Sequence, residues 1–383
     1  MNTYFAVTTP GLEPFTRQEA DELDLIPAPD ISADSNPEPE TGGVTFKGEL
    51  EALYRANLHL RTASRVLARL GNFFYAKTYK DLLEKASRLP WERFLHPGQP
   101  VKLRVSYHES RLNHAKPISE AVYEAIAIRM GQPSQGKRGD NDTATHQLVV
   151  VRVANDQVTV SIDSSGTLLY KRGYRQAIAK APLRETLAAA IIMASGWDGQ
   201  SPLLDPFCGS GTIPIEAAMM ALGIPPGAKR PFAFMDWPNY DEALWERVKG
   251  AVTRPEIEMP SITGSDRDAG AVRMAISNAE RAGVAELVHF EKYALSNIHP
   301  SRKKGWVVTN PPYGERISKG ADLRNLYAQF GNVLRQHCVD WQVALLSNDK
   351  MLLGQTRLDL DTSMSLRNGG IRVYLARGKV HKL

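Results

Sequence analysis

The chain's 383 residues, 43% hydrophobic and 23% charged, supply the cores of two or three ordinary domains. Two cysteines 130 positions apart, Cys208 and Cys338, nine scattered histidines without HExxH or paired Cys/His spacing, and no apolar run near the roughly 20 residues of a membrane span argue against a disulfide framework, a metal centre and a transmembrane helix. The N-terminus has no signal-like pattern, so a cytoplasmic protein is expected, and its net charge of +5 is unevenly spread: residues 1–52 hold 2 Lys/Arg against 11 Asp/Glu, residues 53–163 hold 17 against 10, and residues 164–383 hold 28 against 21.

Residues 2–9 alternate as a strand, Pro10-Gly11 marks a turn, and an acidic helix is expected from Thr16 to Asp24. Prolines 27, 29, 37 and 39 mark a loop before a strand resumes at Gly42 to Phe46. Apolar residues at helical spacing from Leu50 to Leu70 predict one long or broken helix over 49–70. On it Arg61, Arg65 and Arg69 fall four apart and line one face, either as a solvated stripe or as a contact for a polyanion. A helix near Asp81 to Ser87, a strand at Val101 to Ser106, a helix at Ile118 to Met130 and strands at Gln147 to Val153 and Gln157 to Asp163 complete an α+β module. Its loop at 134–139 carries Lys137 and Arg138, which suit a phosphate contact or an ordinary connection equally.

Residues 164–180 form a junction in which Lys171, Arg172 and Arg175 interleave with Tyr170 and Tyr174, a mixture that fits nucleic acid or an interdomain strap. From Ala181 strands alternate with helices, which predicts a mainly parallel sheet covered on both faces. The segment PLLDPFCGSGT at 202–212 is a strand and glycine turn that opens a helix ending at Gly223. Gly209 and Gly211 leave room for a ligand's close approach, and Asp205 places a carboxylate at the strand end. No Lys-Ser/Thr pair follows, and the third glycine of GxGxxG is missing, so neither a P-loop nor a dinucleotide fingerprint fits. A strand at 261–265 runs into Asp266, at a position that suits ribose hydroxyls or a helix cap, and residues 224–258 are an insertion.

The strand at 305–309 delivers Asn310-Pro311-Pro312-Tyr313-Gly314 at its C-terminal end, where open α/β sheets place their sites. An exocyclic amine on a nucleobase is a poor nucleophile because its lone pair is delocalised. The Asn310 carbonyl and the Pro311 backbone carbonyl are two acceptors that can aim it, the prolines stiffen the segment, and Tyr313 is expected to offer a stacking face.

These residues resemble bacterial THUMP-containing class I methyltransferases that use S-adenosylmethionine to modify guanine N2 in large-subunit ribosomal RNA. The resemblance runs through 42–67, 169–190, DPFCGSGT (205–212), FAFMDWP (232–238), 264–284 and NPPYGER (310–316). It implies a Rossmann-like methyltransferase domain (164–383 with its linker) preceded by an α+β ferredoxin-like segment (1–52) and a THUMP RNA-binding domain (53–163). It further implies that Asp205, Phe207, Gly209 and Gly211 line the methionine side of S-adenosylmethionine and Asp266 its ribose, with Thr212 also binding the cofactor. Asn310 to Tyr313 would then meet the target base, with Asn310 also beside the cofactor. Relatives often carry an aspartate for the adenine amine after the next strand; here the chain reads Glu291-Lys292-Tyr293-Ala294-Leu295, leaving backbone near Ala294. The partner expected is structured RNA, ribosomal or transfer. DNA adenine-N6 methylation and a non-catalytic RNA-binding assembly role are the alternatives, and the oligomeric state is open.

Overall fold

The computed structural model describes residues 1–27, 42–132, 146–175, 183–253, 258–300, 304–313, 323–368 and 370–382. Lys137, Arg138 and the 314–316 end of the NPPYGER segment lie outside them.

The N-terminal half contains β1 (Asn2–Thr8), α1 (Glu13–Glu22), β2 (Ile26–Pro27), β3 (Gly43–Gly48), α2 (Leu50–His59), β4 (Ala63–Arg69), β5 (Phe74–Tyr75), α3 (Tyr79–Ser87), β6 (Val101–His108), α4 (Ala115–Met130), β7 (Gln147–Ala154) and β8 (Gln157–Asp163). Among the described residues these strands form one sheet in the order β2-β3-β1-β4-β8-β7-β6, with β5 pairing β8. Alternation does the sorting: Tyr4, Ala6, Phe46, Val66, Ala68, Val149, Val151, Val153, Val160 and Ile162 bury one face against Leu53, Ala56, Leu82, Ala86, Ile118 and Val122 of the helices.

The long or broken helix expected over 49–70 is one helix followed by a strand. The chain leaves α2 at Leu60, which is extended at φ −65°, ψ 115°, and 63–69 become β4. Pairing of β4 with both β1 and β8 overrides the helical spacing, because the backbone of a central strand is fully satisfied only in the ladder. Arg61, Arg65 and Arg69 therefore form no helical stripe.

The second half contains α5 (Glu185–Ala194), β9 (Leu203–Asp205), α6 (Thr212–Ala221), α7 (Glu242–Gly250), β10 (Ile262–Asp266), α8 (Ala269–Ala282), β11 (Val288–Lys292), β12 (Trp306–Thr309), α9 (Arg324–His337), β13 (Gln342–Ser347), α10 (Lys350–Gln355), β14 (Leu360–Asn368) and β15 (Ile371–Lys379). Its sheet runs β11-β10-β9-β12-β13-β15-β14, parallel through β13 and antiparallel at β15 and β14. Strand order reverses between β9 and β12, the switch point at which such sheets open a crevice at their C-terminal ends.

The insertion before β10 belongs to the first half's core. Phe232, Phe234, Trp237, Trp245 and Val248 are buried with the N-terminal residues. The Trp237 indole donates to Gln147 Oε1 at 2.8 Å, the Phe234 amide to the Ser164 carbonyl at 3.0 Å and the Gly227 amide to the Leu58 carbonyl at 2.9 Å. Tyr54 stacks on Phe234 with ring centroids 4.5 Å apart. FAFMDWP is thus an anchor that locks the two halves together, each buried ring contributing about 1.5–3 kcal/mol.

Candidate active site

β9 ends at Asp205 and the chain turns sharply into α6 through Gly209 (φ +52°) and Gly211 (φ +84°). At Gly211 a side chain is excluded twice: its conformation is left-handed, and a β-carbon would stand 2.9 Å from the Phe290 ring and 3.0 Å from Ala275. A β-carbon at Gly209 would meet nothing within 4 Å, so that glycine borders open space. The turn is held from behind by Asn278 Nδ2, which donates to the Ser210 carbonyl at 2.9 Å. No side chain caps α6, which leaves its first-turn amides to an anionic ligand group.

Two carboxylates flank the turn. Asp205 Oδ1 accepts from Thr309 Oγ1 at 2.5 Å and from the Phe207 amide at 3.1 Å. Burial nevertheless pushes its carboxyl up to about 7, with nearby Asp266 adding to the rise. Asp266 accepts from the Gly209 amide at 3.1 Å and the Asp268 amide at 2.9 Å, one on each oxygen. A carboxylate oxygen has a second lone pair, so Asp266 remains able to take ribose hydroxyls while it braces the turn. Asp268, rather than Asp266, caps α8 by accepting from the Gly270 amide. The Tyr293 amide donates to the Asp266 carbonyl at 3.1 Å, which sets Ala294, the residue opening the turn Leu295–Asn297, beside the end of β10.

β12 neighbours β9 and carries Asn310 immediately beyond its end. Asn310 Oδ1 is buried and accepts no hydrogen bond. Nature rarely leaves such an acceptor empty, because it costs about 1–3 kcal/mol. The Pro312 carbonyl accepts from Tyr327 Oη at 3.4 Å, which steadies the segment from α9. Tyr313 departs from expectation: only 4% exposed, its ring is packed into the second half's core, so it supports the loop from within instead of offering an open stacking face. Phe207 lies beside Phe330, with ring centroids 5.7 Å apart.

The cations expected to contact RNA divide sharply. The Arg61 guanidinium donates to the Ile224 carbonyl at 2.7 Å. Arg65 pairs with buried Asp163 and donates to the Gly166 carbonyl at 2.6 Å. Arg172 is buried, donating to the Arg61 and Leu169 carbonyls at 2.6 and 2.7 Å and standing 3.5 Å from the Glu216 carboxylate on α6. Arg175 donates to Thr212 Oγ1 at 2.5 Å, the first residue of α6, and lies 3.4 Å from Glu185, whose carboxyl burial raises to about 7. Arg61, Arg172 and Arg175 are thus internal ties between the halves and the glycine turn, a correction that follows from the cost of burying a guanidinium without such partners. Lys171 is exposed, and Arg69 lies over the Phe5 ring and donates to Ser161 Oγ at 3.2 Å.

Sequence reasoning missed Thr309, Glu216 and Tyr327. Thr309 alone carried a signal, as the polar residue closing an apolar strand directly before Asn310.

The family described as RMKL-like, methyltransferase domain, matches residues 172–376, and the RlmL ferredoxin-like domain matches residues 3–67. A Synechocystis sp. protein named "Putative RNA methyltransferase slr0064" is 32% identical over 99% of this chain and 97% of its own length. The ribosomal RNA large subunit methyltransferase K/L of Methylococcus capsulatus is 33% identical over 97% of this chain, which spans 50% of that longer relative. The crystal structure of SMU.472, a complex with SAH, superposes with a TM-score of 0.84 at 30% identity, covering 100% of this chain and 99% of the other.

Proposed function

Because the chain belongs to the RMKL-like methyltransferase family and so is an S-adenosylmethionine-dependent methyltransferase, we propose that it methylates the exocyclic N2 amine of a guanine in structured RNA, large-subunit ribosomal RNA being its substrate. The observation that carries the reading is Asn310 Oδ1, a buried acceptor with no protein partner at the C-terminal end of β12. The residues fit the cofactor: a glycine turn with open space at Gly209, uncapped amides at the start of α6, and carboxylates at Asp205 and Asp266. When bound, the cofactor supplies an electrophilic methyl group.

The protein's own part is positional. Asn310 Oδ1 and the Pro311 carbonyl each accept one N–H of the target amine, turning its lone pair out of conjugation and toward the cofactor. The same acceptors gain strength as positive charge develops on nitrogen, so they favour the transition state over the ground state. No strong base is required, since the alkylated amine is acidic enough to release its proton to solvent. Asp205, tied to Thr309, joins the glycine turn to the residue before Asn310, so cofactor and amine sites share one rigid connection.

On this reading the ferredoxin-like segment is the one matched over residues 3–67, longer than the 1–52 expected because α2 and β4 belong to it, the chain from there to 163 is the RNA-binding THUMP domain and 164–383 the catalytic domain with its linker. The names of the relatives favour ribosomal RNA over transfer RNA. The test is nucleoside analysis of ribosomal, transfer and genomic fractions from cells with and without the gene. Loss of N2-methylguanosine from large-subunit RNA is expected. Its loss from transfer RNA alone would reassign the substrate, and loss of N6-methyladenine from DNA would overturn the reading.

A further inference from the structure

The hairpin of β14 and β15 reaches the C-terminal end of the second sheet beside Asn310. Thr309, Leu345 and Ala376 form one row across β12, β13 and β15, which sets Ala376 about 10 Å to the side of Thr309. Because β15 runs antiparallel to β13, Tyr374 and Arg372 lie about 7 and 13 Å further toward the end at which Asn310 stands. Tyr374 is opposite Ser347, and Tyr327 Oη lies 3.4 Å from both Ser347 Oγ and the Pro312 carbonyl. On the neighbouring strand Ser365 is opposite Tyr374 and Arg367 opposite Arg372, so these four share one face while Leu366 and Val373 bury the other.

Cations collect on this face. Lys350 Nζ stands 4.7 Å and Arg372 Cζ 5.5 Å from the centroid of the Tyr374 ring, and Arg372 also donates to Ser365 Oγ at 3.2 Å. Lys350, Arg367 and Arg372 are exposed, and among the described residues none has a carboxylate partner. Asp349 accepts from the Met351 amide as the cap of α10, and Asp361, the one acid on β14 and β15, lies 3.3 Å from Arg377. Arg367 and Arg372 therefore oppose each other directly across the hairpin, an arrangement of like charges that costs stability until an anion lies over them.

We propose that this rim of the second half, formed by Lys350, Arg367 and Arg372, holds phosphates of the substrate RNA immediately beside the nucleotide that is methylated. The inference rests on the RNA-methyltransferase reading above and adds where the strand is gripped next to Asn310. An amine presented to Asn310 belongs to a nucleotide taken out of its stack, and contacts to the nucleotides on either side decide which one enters. The Tyr374 ring steadies two of the three head groups, so little freedom is lost when the backbone docks. Phosphate contacts of this kind fix the position of the strand without reading its bases.

The test follows methyl transfer from labelled S-adenosylmethionine to large-subunit ribosomal RNA purified from cells lacking the gene, at salt between about 50 and 200 mM. It compares the full chain with a triple variant, Lys350→Gln, Arg367→Gln and Arg372→Gln. At the low-salt end the variant's KM for RNA is expected to rise about tenfold with kcat at saturating RNA within about threefold, and its slope of log kcat/KM against log salt to be shallower by about 2. S-adenosylmethionine affinity should stay as in the unmodified chain. The charge-preserving pair Arg367→Lys and Arg372→Lys should keep both KM and slope. Arg367→Gln alone, which removes no hydrogen bond or ion pair among the described residues and so leaves the hairpin's folding untouched, should flatten the slope by about 0.7. Unchanged KM and slope in the triple and single glutamine variants, or the same rise in KM in the lysine pair, would overturn the proposal while leaving the RNA reading intact. Inhibition by polyglutamate that the triple variant escapes, with its RNA kinetics unchanged, would overturn it in favour of an acidic polypeptide. Failure of the unmodified chain to methylate the RNA would overturn the reading and the proposal together.

Discussion

Replacing Asn310 by alanine separates catalysis from folding unusually cleanly. The side-chain oxygen is buried and without a protein partner, so its removal deletes a polar atom that already costs about 1–3 kcal/mol in the free enzyme. Folding should be unchanged or slightly favoured, with a melting temperature within a few degrees of the unmodified chain. On the proposed mechanism the transition state, by contrast, loses one of two acceptors aimed at a nitrogen gaining positive charge. Charge-assisted contacts of this kind are worth about 3–4 kcal/mol, so single-turnover methyl transfer from labelled S-adenosylmethionine should slow by roughly 10²–10³-fold. Cofactor affinity, measured by calorimetry, should stay close to that of the unmodified chain. A rate within about fivefold of the original, or a melting temperature lowered by about 8 °C or more, would refute the assignment, because either result makes Asn310 a structural residue.

Gly211→Ala should lose about 2–4 kcal/mol from left-handed strain and from the close approach to Phe290 and Ala275, with weakened cofactor binding; thermal denaturation and calorimetry read both. Arg172→Met strands Glu216 in the interior, so about 3–5 kcal/mol of stability should disappear in chemical denaturation, whereas a loss below about 1 kcal/mol would show the pair to be replaceable. Asp205→Asn tests the buried carboxyl. Its pKa is raised in the folded state from 3.8 to about 7, so the stability tied to its protonated form is complete below about pH 4 and fades as pH rises through 7. In cofactor-free denaturation, the unmodified chain should therefore lose ground to the Asn variant between about pH 4 and 7 and then run parallel to it; curves parallel throughout would show that Asp205 keeps an ordinary pKa.

What the sequence revealed follows from how locally each feature is encoded. The glycine turn and the strand before Asn310 are written in contiguous residues, and both stand where expected. The helix that became α2 and β4 was misread because 49–70 satisfies a helical period, while the decision is made by β1 and β8, distant in the chain. The arginines failed for a related reason. A guanidinium at an interdomain seam and one in solvent look alike in sequence, and only Ile224, Glu216 and Thr212 show Arg61, Arg172 and Arg175 to be internal. Tyr313 was placed at the correct loop, but its exposure depends on the core that the loop sits upon.

The FAFMDWP anchor bears on how such proteins can be taken apart. Cutting after residue 163 would strip the insertion of its socket and expose Phe232, Phe234, Trp237 and Trp245 together, rings that bury about 150–250 Å² each. A surface of that size on a free catalytic fragment invites aggregation, and the remaining half would be left with a hollow where those rings had been. The N-terminal half is thus not a detachable adaptor. A chimera that exchanges it for another module would have to carry residues 224–253 with it, socket and plug as one unit.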